Sequence, residues 1–507
     1  MAPEALTRGA RSEASDVEQE LTSGDIQRRA ASGAALLTAK GVIAQILGLL
    51  STIVVTRLLV PHQLGMYAIA MTISTFLLVL GGGVGMGGAL IRNPAPLERA
   101  DLRAFLALQL IVSSVLVAAV AAATEPFGLI GHLTAVMVLS ALVTAVAGAS
   151  AVVLERQLLY KPIAVADTAA IVTFYGWTVV TVALGWGLWG LATATLARAV
   201  VWTAAILTLA PTRIVLPRFD RRRIRAMLDM GLRVQAVELV TALRDQFLVL
   251  GTAAIGSISI VAYWSLVLRA LQAPQTLLLT LLRVSFPAMS RTRSAGGDPA
   301  AMLPRLLPAA TFLTGMLLAP LAGAAPALVP FLFGERWSPA ADALSLACVA
   351  VIVHTPVLIA AQSYLWTAGD AKSPLRATIA DAVVVIAVGL PLVPLIGVLG
   401  LAVGGVACAI VHTAILARAV DRQTHVRVVS HIRTPVLAWL VAVGAAWACA
   451  QAPGPPAILT VLTACLAIGL YLGVLFLTRR ELMVGLARQF WPLVRGRLFH
   501  RPAPAAA

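Results

Sequence analysis

Charged residues are scarce in this 507-residue chain, because Asp, Glu, Lys and Arg together make up only 12% of it. Apolar residues make up 60%, and the mean hydropathy is +0.91. A water-soluble core cannot hide that much apolar surface, so the composition excludes a soluble fold. Apolar runs of about 20 residues, without the alternation that marks barrel strands, predict an all-α polytopic membrane protein.

Cysteine is equally scarce and gives no sign of a metal or disulfide site. Cys348, Cys408, Cys449 and Cys465 all lie in apolar runs, with neither a C-x-x-C motif nor a paired Cys/His spacing. We therefore expect no disulfide framework, no metal and no cofactor. The net charge of +16 is spread over short loops rather than gathered into a basic domain, so no nucleic-acid partner is expected.

What the sequence does contain is a series of apolar runs that predicts about fourteen transmembrane helices. We predict them at residues 34–58, 67–91, 103–123, 128–154, 163–184, 188–210, 229–254, 257–287, 303–331, 340–366, 375–395, 398–418, 434–451 and 456–478. Pro274, Pro320 and Pro326 are expected to break or kink two of these helices. Residues 1–33 are polar and of mixed charge, which predicts a disordered cytoplasmic tail.

The basic residues follow a topology pattern. About thirty of them fall on alternate connections of the predicted helices, whereas the other side carries Arg336 alone. This bias predicts a multi-pass protein of a bacterial-type inner membrane with both termini in the cytoplasm. The Arg-rich cytoplasmic loop predicted at 211–228 includes Arg221–Arg225, which we expect to contact anionic lipid headgroups.

A faint internal repeat divides the chain. Gly187-Leu-Trp-Gly190-Leu-Ala opens the sixth predicted helix, and Gly397-Val-Leu-Gly400-Leu-Ala opens the twelfth. Both helices enter the membrane from the same side, so the repeat would be parallel. It predicts two pseudo-symmetric six-helix lobes, an N-lobe at 34–210 and a C-lobe at 229–418. Two C-terminal helices at 434–478 and a cytoplasmic tail at 479–507 would follow.

The turn after the first helix carries a family resemblance. Arg57-Leu-Leu-Val-Pro61-His-Gln-Leu-Gly65-Met-Tyr67 resembles the R-L-L-x-P-x-x-x-G-x-Y signature of polysaccharide transporters. These are the Wzx-like lipid-linked oligosaccharide flippases of the multidrug/oligosaccharidyl-lipid/polysaccharide exporter superfamily. Further matches follow in the family's order at Gly81–Ile91, Leu154–Lys161, Gly185–Trp189, Gly251–Gly256, Phe286–Arg291, Phe333–Trp337 and Ala368–Asp370. From the residues alone, Pro61 is expected to end helix one and Gly65 to permit a tight hairpin.

The resemblance implies a function. It implies a flippase that moves an undecaprenyl-diphosphate-linked oligosaccharide across the membrane by alternating access, for exopolysaccharide, capsule or O-antigen synthesis. The partners it implies are the lipid-linked glycan, membrane lipids and a glycan polymerase or export machinery, and we expect a monomer. Coupling to a proton or sodium gradient is also implied by the family.

Basic side chains within the apolar spans outnumber acidic ones. Arginine binds phosphate through a bidentate fork, and desolvation strengthens the attraction, so we predict a basic cavity for the phosphorylated headgroup. The predicted substrate-binding residues are Lys40, Arg57, Arg198, Arg233, Arg244, Arg269 and Arg283. The predicted ion-coupling residues are Glu238, Asp245 and Asp381. Ion pairs between helices are the alternative for these charges.

Two histidines and two other functions stay open. His354 and His412 lie in apolar runs, where they either relay protons or are hydrogen-bonded core residues. A cation-coupled multidrug extruder would typically stop at twelve helices and favour an acidic cavity. A polytopic glycan polymerase or ligase would usually display a long outer loop with catalytic residues. The predicted outer connections are all short, so we expect no enzyme activity.

Overall fold

The computed structural model describes the backbone of residues 23–481 apart from 81–86, 89, 92–96 and 211–215. Within those ranges it describes all side chains except those of residues 23–35, 37–39, 226, 229–241, 244, 245, 283 and 284. Thirteen helices in this described part are long and apolar enough to cross a membrane. The prediction of an all-α polytopic membrane protein is thus confirmed.

The chain divides into two compact units between Ala262 and Tyr263. The helices of the first unit are α1 (Ser23–Leu58), α2 (Pro61–Leu80), α3 (Arg99–Ala122), α4 (Gly128–Ala145), α5 (Gly148–Arg156), α6 (Tyr160–Ala183), α7 (Leu188–Leu209) and α8 (Arg221–Ile255). The division falls near the start of α9 (Ile258–Ser294). The second unit continues with α10 (Leu303–Phe333), α11 (Pro339–Val357), α12 (Ser363–Ala368), α13 (Lys372–Val384), α14 (Leu390–Ile396), α15 (Val398–Gln423), α16 (Val428–Ala450) and α17 (Pro456–Thr478). The predicted lobe boundaries stay a prediction.

Two predicted boundaries differ from the observed helices. Helix α1 begins at Ser23, inside the segment predicted to be a disordered tail, so it extends further than its apolar part. Helix α8 begins at Arg221 and covers both the end of the predicted Arg-rich loop and all of the predicted helix 229–254. The side chains of 16 of the 35 residues of α8 lie outside the described residues, and α8 is not among the thirteen spans.

Proline does not interrupt the helices as expected. Helix α9 continues through Pro274 and Pro287, and α10 continues through four prolines that include Pro320 and Pro326. In a membrane protein neighbouring helices and hydroxyl side chains can satisfy the carbonyls that a proline leaves free, so the helix need not end. Ser345 of α11 donates at 2.8 Å to the carbonyl of Ala322, the one that Pro326 leaves free.

Three other predicted helices do contain irregular turns. The prediction 128–154 is divided into α4 and α5 by a turn before Gly148. The prediction 340–366 contains a π-helical segment at Leu358–Gln362, and 375–395 contains another at Val385–Gly389. A π segment inserts one residue into an α-helix and often lies beside a functional site. Hydropathy cannot reveal such a segment because the apolar run continues through it.

The hairpin after the first helix is built differently from the prediction. Helix α1 ends at Leu58, and Pro61 begins α2, where its missing N–H costs nothing. Gly65 therefore lies within α2 rather than in the turn. A Cβ atom at Gly65 would lie 2.0 Å from the carbonyl oxygen of Ile258, so the glycine permits a close backbone approach instead of a chain reversal.

The two ends of the predicted repeat form the same local structure. Gly187 precedes α7 with φ 57° and ψ −129°, and Gly397 precedes α15 with φ 62° and ψ −136°. Positive φ values of this kind favour glycine. Three residues later, a Cβ at Gly190 would lie 2.5 Å from Thr181 Oγ1, and one at Gly400 would lie 2.7 Å from the Leu392 carbonyl carbon. Each turn thus lets a helix pack tightly against the helix before it.

Each unit has its own apolar core. In the first unit, Leu102 and Phe105 of α3 pack in a cluster that includes Val153 of α5. In the second, Leu303 and Leu307 of α10 are fully buried in a cluster with residues of α9, α15 and α16. The cluster of the second unit also includes Val357 of α11 and Ala377 of α13, so it joins the three helices that carry the polar groups of that unit described below.

Candidate functional site

Lys40 and Asp167 form an ion pair in the first unit. Lys40 Nζ of α1 lies 2.7 Å from Asp167 Oδ2 of α6, and both side chains are about a quarter exposed. The indole N–H of Trp202, on α7, donates to Asp167 Oδ1 at 2.9 Å. Both carboxylate oxygens are therefore occupied, and the charge of Lys40 is neutralised inside the protein. This contact is the inter-helix ion pair that the sequence left open as the alternative for Lys40.

Packing between α1 and α6 sets this pair. A Cβ at Gly48 would lie 2.8 Å from Tyr175 Oη, which marks a close approach of the two helices. Gly48 follows Lys40 by 48 − 40 = 8 residues, and Tyr175 follows Asp167 by 175 − 167 = 8 residues. The equal spacing shows that the two helices run parallel here. The charged pair lies about two turns before the contact between Gly48 and Tyr175.

Arg198 differs from Lys40 in having no partner among the described residues. It lies near the middle of the span Leu188–Leu209, and its side chain is exposed. It forms no hydrogen bond or ion pair with any residue that the structure describes. Arg198 is one helical turn from Trp202, so it shares a face of α7 with the group that holds Asp167. A guanidinium at this depth is costly in lipid and needs an anion or water beside it.

The other predicted substrate-binding residues are not brought into one described cluster. Arg57 lies in the last turn of α1 and Arg269 in α9; both side chains are exposed, and each interacts with another group of the protein. The side chains of five further predicted residues lie outside the described residues, namely Arg233, Glu238, Arg244, Asp245 and Arg283. Their assignment stays a prediction.

In the second unit, Asp381 of α13 faces two donors on α15. His412 Nδ1 lies 2.7 Å from Asp381 Oδ2, and Cys408 Sγ lies 3.2 Å from Asp381 Oδ1. Cys408 and His412 are four residues apart, so one helix face presents both groups to the same carboxylate. A close approach sets the contact, because a Cβ at Gly404 of α15 would lie 2.6 Å from the Cα of Gly389.

His354 of α11 completes this cluster. Its ring centroid lies 4.3 Å from that of His412, and the planes meet at 76°. The neighbouring residues hold the two helices together, because Thr413 donates to the Val353 carbonyl at 3.1 Å. His354, Asp381 and His412 each offer one metal-ligand atom, and these atoms lie within 4.8 Å of one another. His412 is 3% exposed, and its Nε2 has no hydrogen-bond partner in the described structure.

This cluster corrects the expectation that the chain has no paired Cys/His spacing. Cys408-x-x-x-His412 is such a spacing, since an i, i+4 pair lies on one helix face, and the sequence analysis missed it. Asp381 was predicted as an ion-coupling residue and does lie among polar groups. His354 could not have been joined to them from the sequence, because it comes from a third helix whose position is set by packing.

Both units carry charged contacts at helix ends that are predicted to be cytoplasmic. Arg223 at the start of α8 donates to Glu98 at 2.7 Å and to Asp101, so only part of the Arg221–Arg225 cluster is available to lipids. In the second unit, Asp370 accepts from Ser373 Oγ at 2.7 Å, from Ser373 N and from Gln423. The hydrogen bonds from Ser373 lower the pKa of Asp370 below its ordinary value.

Comparison with known protein families decides the relationship. Residues 54–342, more than half of the chain, match the family described as polysaccharide biosynthesis protein. The chain belongs to this family. The resemblance predicted from the Arg57–Tyr67 segment is thereby confirmed, and this polysaccharide biosynthesis family member is a multi-pass membrane protein. A comparison with curated protein sequences finds no match.

Two solved structures share the fold of the family member. It is similar to the lipid II flippase MurJ in an inward closed conformation, with a TM-score of 0.67 and 14% identity over 89% of this chain and 100% of that one. It is also similar to an inward-facing multidrug resistance MATE family transporter of the MOP superfamily, with a TM-score of 0.55 and 19% identity over 76% of this chain and 96% of that one. At these identities the likeness concerns the fold.

Proposed function

We propose that this protein is a flippase that moves a lipid-linked oligosaccharide, carried on an undecaprenyl-diphosphate-type lipid, across the bacterial inner membrane by alternating access. The observation that supports this most directly is the pairing of a polysaccharide biosynthesis family match with the fold of a lipid II flippase. The role is transport of the glycolipid rather than chemistry on it. Both termini would lie in the cytoplasm.

Arg198 is the residue that we assign first to the substrate. A phosphorylated headgroup that crosses the membrane must exchange water for protein groups, and arginine offers two parallel N–H donors to phosphate. Among the described basic residues of the spans, Lys40 already has its charge balanced by Asp167. Arg198 lies at mid-span, exposed and without a partner among the described residues. Arg57 and Arg269 stay predicted substrate-binding residues, each within its own unit.

The test is a translocation assay with the full chain in vesicles. The probe is an undecaprenyl-diphosphate disaccharide with a fluorophore on the sugar, and an impermeant reductant added outside reports which leaflet holds it. We expect protein-dependent movement of the probe to the outside. Arg198→Ala should slow this movement about tenfold, which corresponds to losing a charged hydrogen bond of roughly 1.5 kcal/mol. Arg198→Lys should be intermediate, because it keeps the charge but not the fork.

The matched control is Arg422→Ala, which removes an exposed arginine from the last turn of α15. It should leave the rate unchanged. Equal rates for Arg198→Ala and wild type would contradict the assignment of Arg198. The flippase proposal would then depend only on whether wild-type protein moves the probe faster than empty vesicles do. Vesicles with wild-type protein that translocate no more probe than empty vesicles would overturn the flippase proposal.

A multidrug extruder is the second candidate, because the fold is shared with a MATE family transporter. The two functions separate in cells. A deletion strain that accumulates glycolipid in the cytoplasmic leaflet and loses surface glycan supports the flippase. Normal surface glycan together with increased ethidium retention in the deletion strain would support the extruder instead.

A further inference from the structure

We propose that His354, Asp381, His412 and Cys408 bind a divalent transition-metal ion of the zinc class within the second unit. The site is separate from the basic residues assigned to the glycolipid, and it does not depend on the proposed function. It rests on side chains that three different membrane-spanning segments bring together: α11, α13 and α15.

The ligand types select the class of ion. Two imidazoles, one carboxylate and one thiol form a mixed N/O/S set, which is the set that zinc accepts in four-coordinate sites. Sodium, magnesium and calcium require oxygen ligands, and a site with two histidines and a cysteine offers them too few. The same set of groups would also accept cobalt, which therefore serves as a spectroscopic probe.

Charge balance favours a divalent ion at this place. A buried charge in the membrane is costly unless it is neutralised nearby. With Asp381 ionised and Cys408 bound as a thiolate, two negative charges face one divalent cation, and the neutral imidazoles add no charge. The thiol proton passes to water when the metal binds. The bound site is thus neutral as a whole.

For His354, Asp381 and His412 the geometry requires only a small contraction, whereas Cys408, which contacts Asp381, must move toward them to become the fourth ligand. The three ligand atoms already lie within 4.8 Å of one another, whereas tetrahedral ligands about 2.0 Å from zinc lie roughly 3.3 Å apart. The residues can adjust, because a π segment begins four residues after His354 and another begins four residues after Asp381. His412 Nε2 is also available as a metal ligand, since it is buried without a hydrogen-bond partner among the described residues.

The experiment uses the full chain in detergent with its affinity tag removed, because a histidine tag would itself bind zinc. After treatment with EDTA, the protein is equilibrated with micromolar Zn²⁺, and bound zinc is measured by mass spectrometry. We expect one zinc per chain, unaffected by an excess of Na⁺ or Mg²⁺. Thermal unfolding should shift to higher temperature with Zn²⁺, because the ion joins three helices.

Three variants test the ligands. His412→Gln and Asp381→Asn should each weaken zinc binding by at least about tenfold. Cys408→Ser should abolish the thiolate-to-cobalt charge-transfer band of the Co²⁺ protein. The matched controls are His132→Gln and Cys465→Ser, which change an exposed histidine and an exposed cysteine elsewhere and should bind as wild type does. Unfolding temperatures in EDTA check that each variant is folded.

Several outcomes would overturn the proposal. Wild-type protein that retains no zinc above the level of a His354→Gln/His412→Gln double variant has no such site. Zinc that binds equally to wild type and to folded Asp381→Asn lies elsewhere. A wild-type Co²⁺ spectrum without a thiolate band removes Cys408 from the ligand set. Because zinc content is measured on purified protein, each of these results is independent of the translocation assay.

Discussion

The two units place an aspartate in comparable positions and neutralise it in different ways. Asp167 and Asp381 each lie on a helix that precedes a Gly-x-x-Gly-Leu-Ala turn, and each accepts a hydrogen bond from a ring on the helix after that turn. In the first unit the ring is Trp202, and Lys40 supplies a fixed positive charge. In the second unit the ring is His412, which can donate a proton or bind a metal.

The difference concerns what each carboxylate can bind. Both oxygens of Asp167 are engaged, by Lys40 and by Trp202, so this contact links α1 and α6. Asp381 faces an imidazole and a thiol, both of which exchange protons for metal ions. The first contact is therefore suited to hold helices together, whereas the second is suited to respond to a ligand.

Adding a methyl group at the two equivalent turns should give the largest effects. Gly400→Ala would place Cβ against the backbone of Leu392 and Val393, and Gly190→Ala would place it mainly against the Thr181 side chain. Because backbone yields less than a side chain, we expect Gly400→Ala to cost more, within roughly 1–3 kcal/mol of unfolding free energy for either. Thermal unfolding in detergent measures the difference.

The matched controls for that comparison are Gly176→Ala and Gly444→Ala. Both glycines are helical, and a Cβ at either would meet nothing within 4 Å. These variants should be neutral or slightly stabilising, since alanine favours the helix. If the two control variants lowered the unfolding temperature as much as Gly400→Ala, close packing at the turns would not be the cause.

Removing the cation of the first unit should have the next largest effect. Lys40→Met leaves the Asp167 carboxylate without its counter-charge and should cost roughly 1–3 kcal/mol, reduced by the partial exposure of the pair. Lys40→Met/Asp167→Asn should recover most of this loss, because asparagine still accepts from Trp202. The measurement is thermal unfolding of the single and double variants.

Asp381→Asn is the parallel change in the second unit, measured in EDTA. It should cost less than Lys40→Met, because it removes a carboxylate charge instead of leaving one without its counter-charge. Two results would show that the two aspartates are not neutralised in the different ways described. One is a Lys40→Met/Asp167→Asn double variant that stays as unstable as Lys40→Met. The other is a cost for Asp381→Asn that exceeds the cost for Lys40→Met.

Asp370 should give the smallest effect, and one that depends on pH. Its folded-state pKa is lowered, so its contribution is present above the unfolded-state pKa and is lost as the pH falls through the lower folded-state value. Asp370→Asn should lower the unfolding temperature slightly near pH 7, because the lost unfolding free energy is less than about 1 kcal/mol for this partly exposed group. The difference between variant and wild type should vanish in acid below the ordinary aspartate range.

The control for this effect is Asp220→Asn in the first unit. Asp220 accepts from the backbone N–H groups of Arg222 and Arg223 as Asp370 does from those of Lys372 and Ser373. Its second oxygen lies 3.6 Å from Arg223 Nε, whereas that of Asp370 accepts from the Ser373 hydroxyl. A difference between Asp370→Asn and wild type that persists unchanged into acid would show that the carboxylate charge is not involved.

How far the sequence predicts this molecule depends on the range of the interaction. Hydropathy is a local property, so the spans were located well. The Gly187 and Gly397 turns were also predicted, because a positive φ leaves a glycine in the sequence. The role of Gly65 was not, because its contact with Ile258 joins residues almost 200 positions apart. The i, i+4 pair Cys408 and His412 was visible in the sequence and overlooked.

The partners of the buried charges lay beyond local patterns for the same reason. Nothing in the sequence near Lys40 indicates Asp167, and nothing near Asp381 indicates His354. Each pair is formed by helix packing that depends on single glycines such as Gly48 and Gly404. Arg198 was predicted from its place in an apolar run, and its lack of a partner in the described chain became apparent only from the structure.

The π segments at Leu358–Gln362 and Val385–Gly389 mean that two membrane helices each contain one residue more than a regular α-helix of the same length would hold. Each residue turns an α-helix by about 100°. A one-residue deletion in a regular α-helix would therefore rotate everything beyond it by roughly that angle. Inside either π segment, the same deletion would instead remove the extra residue and leave both halves of the span facing as they do now. These two spans of the second unit can thus lose one codon near His354 or Asp381 without turning either half.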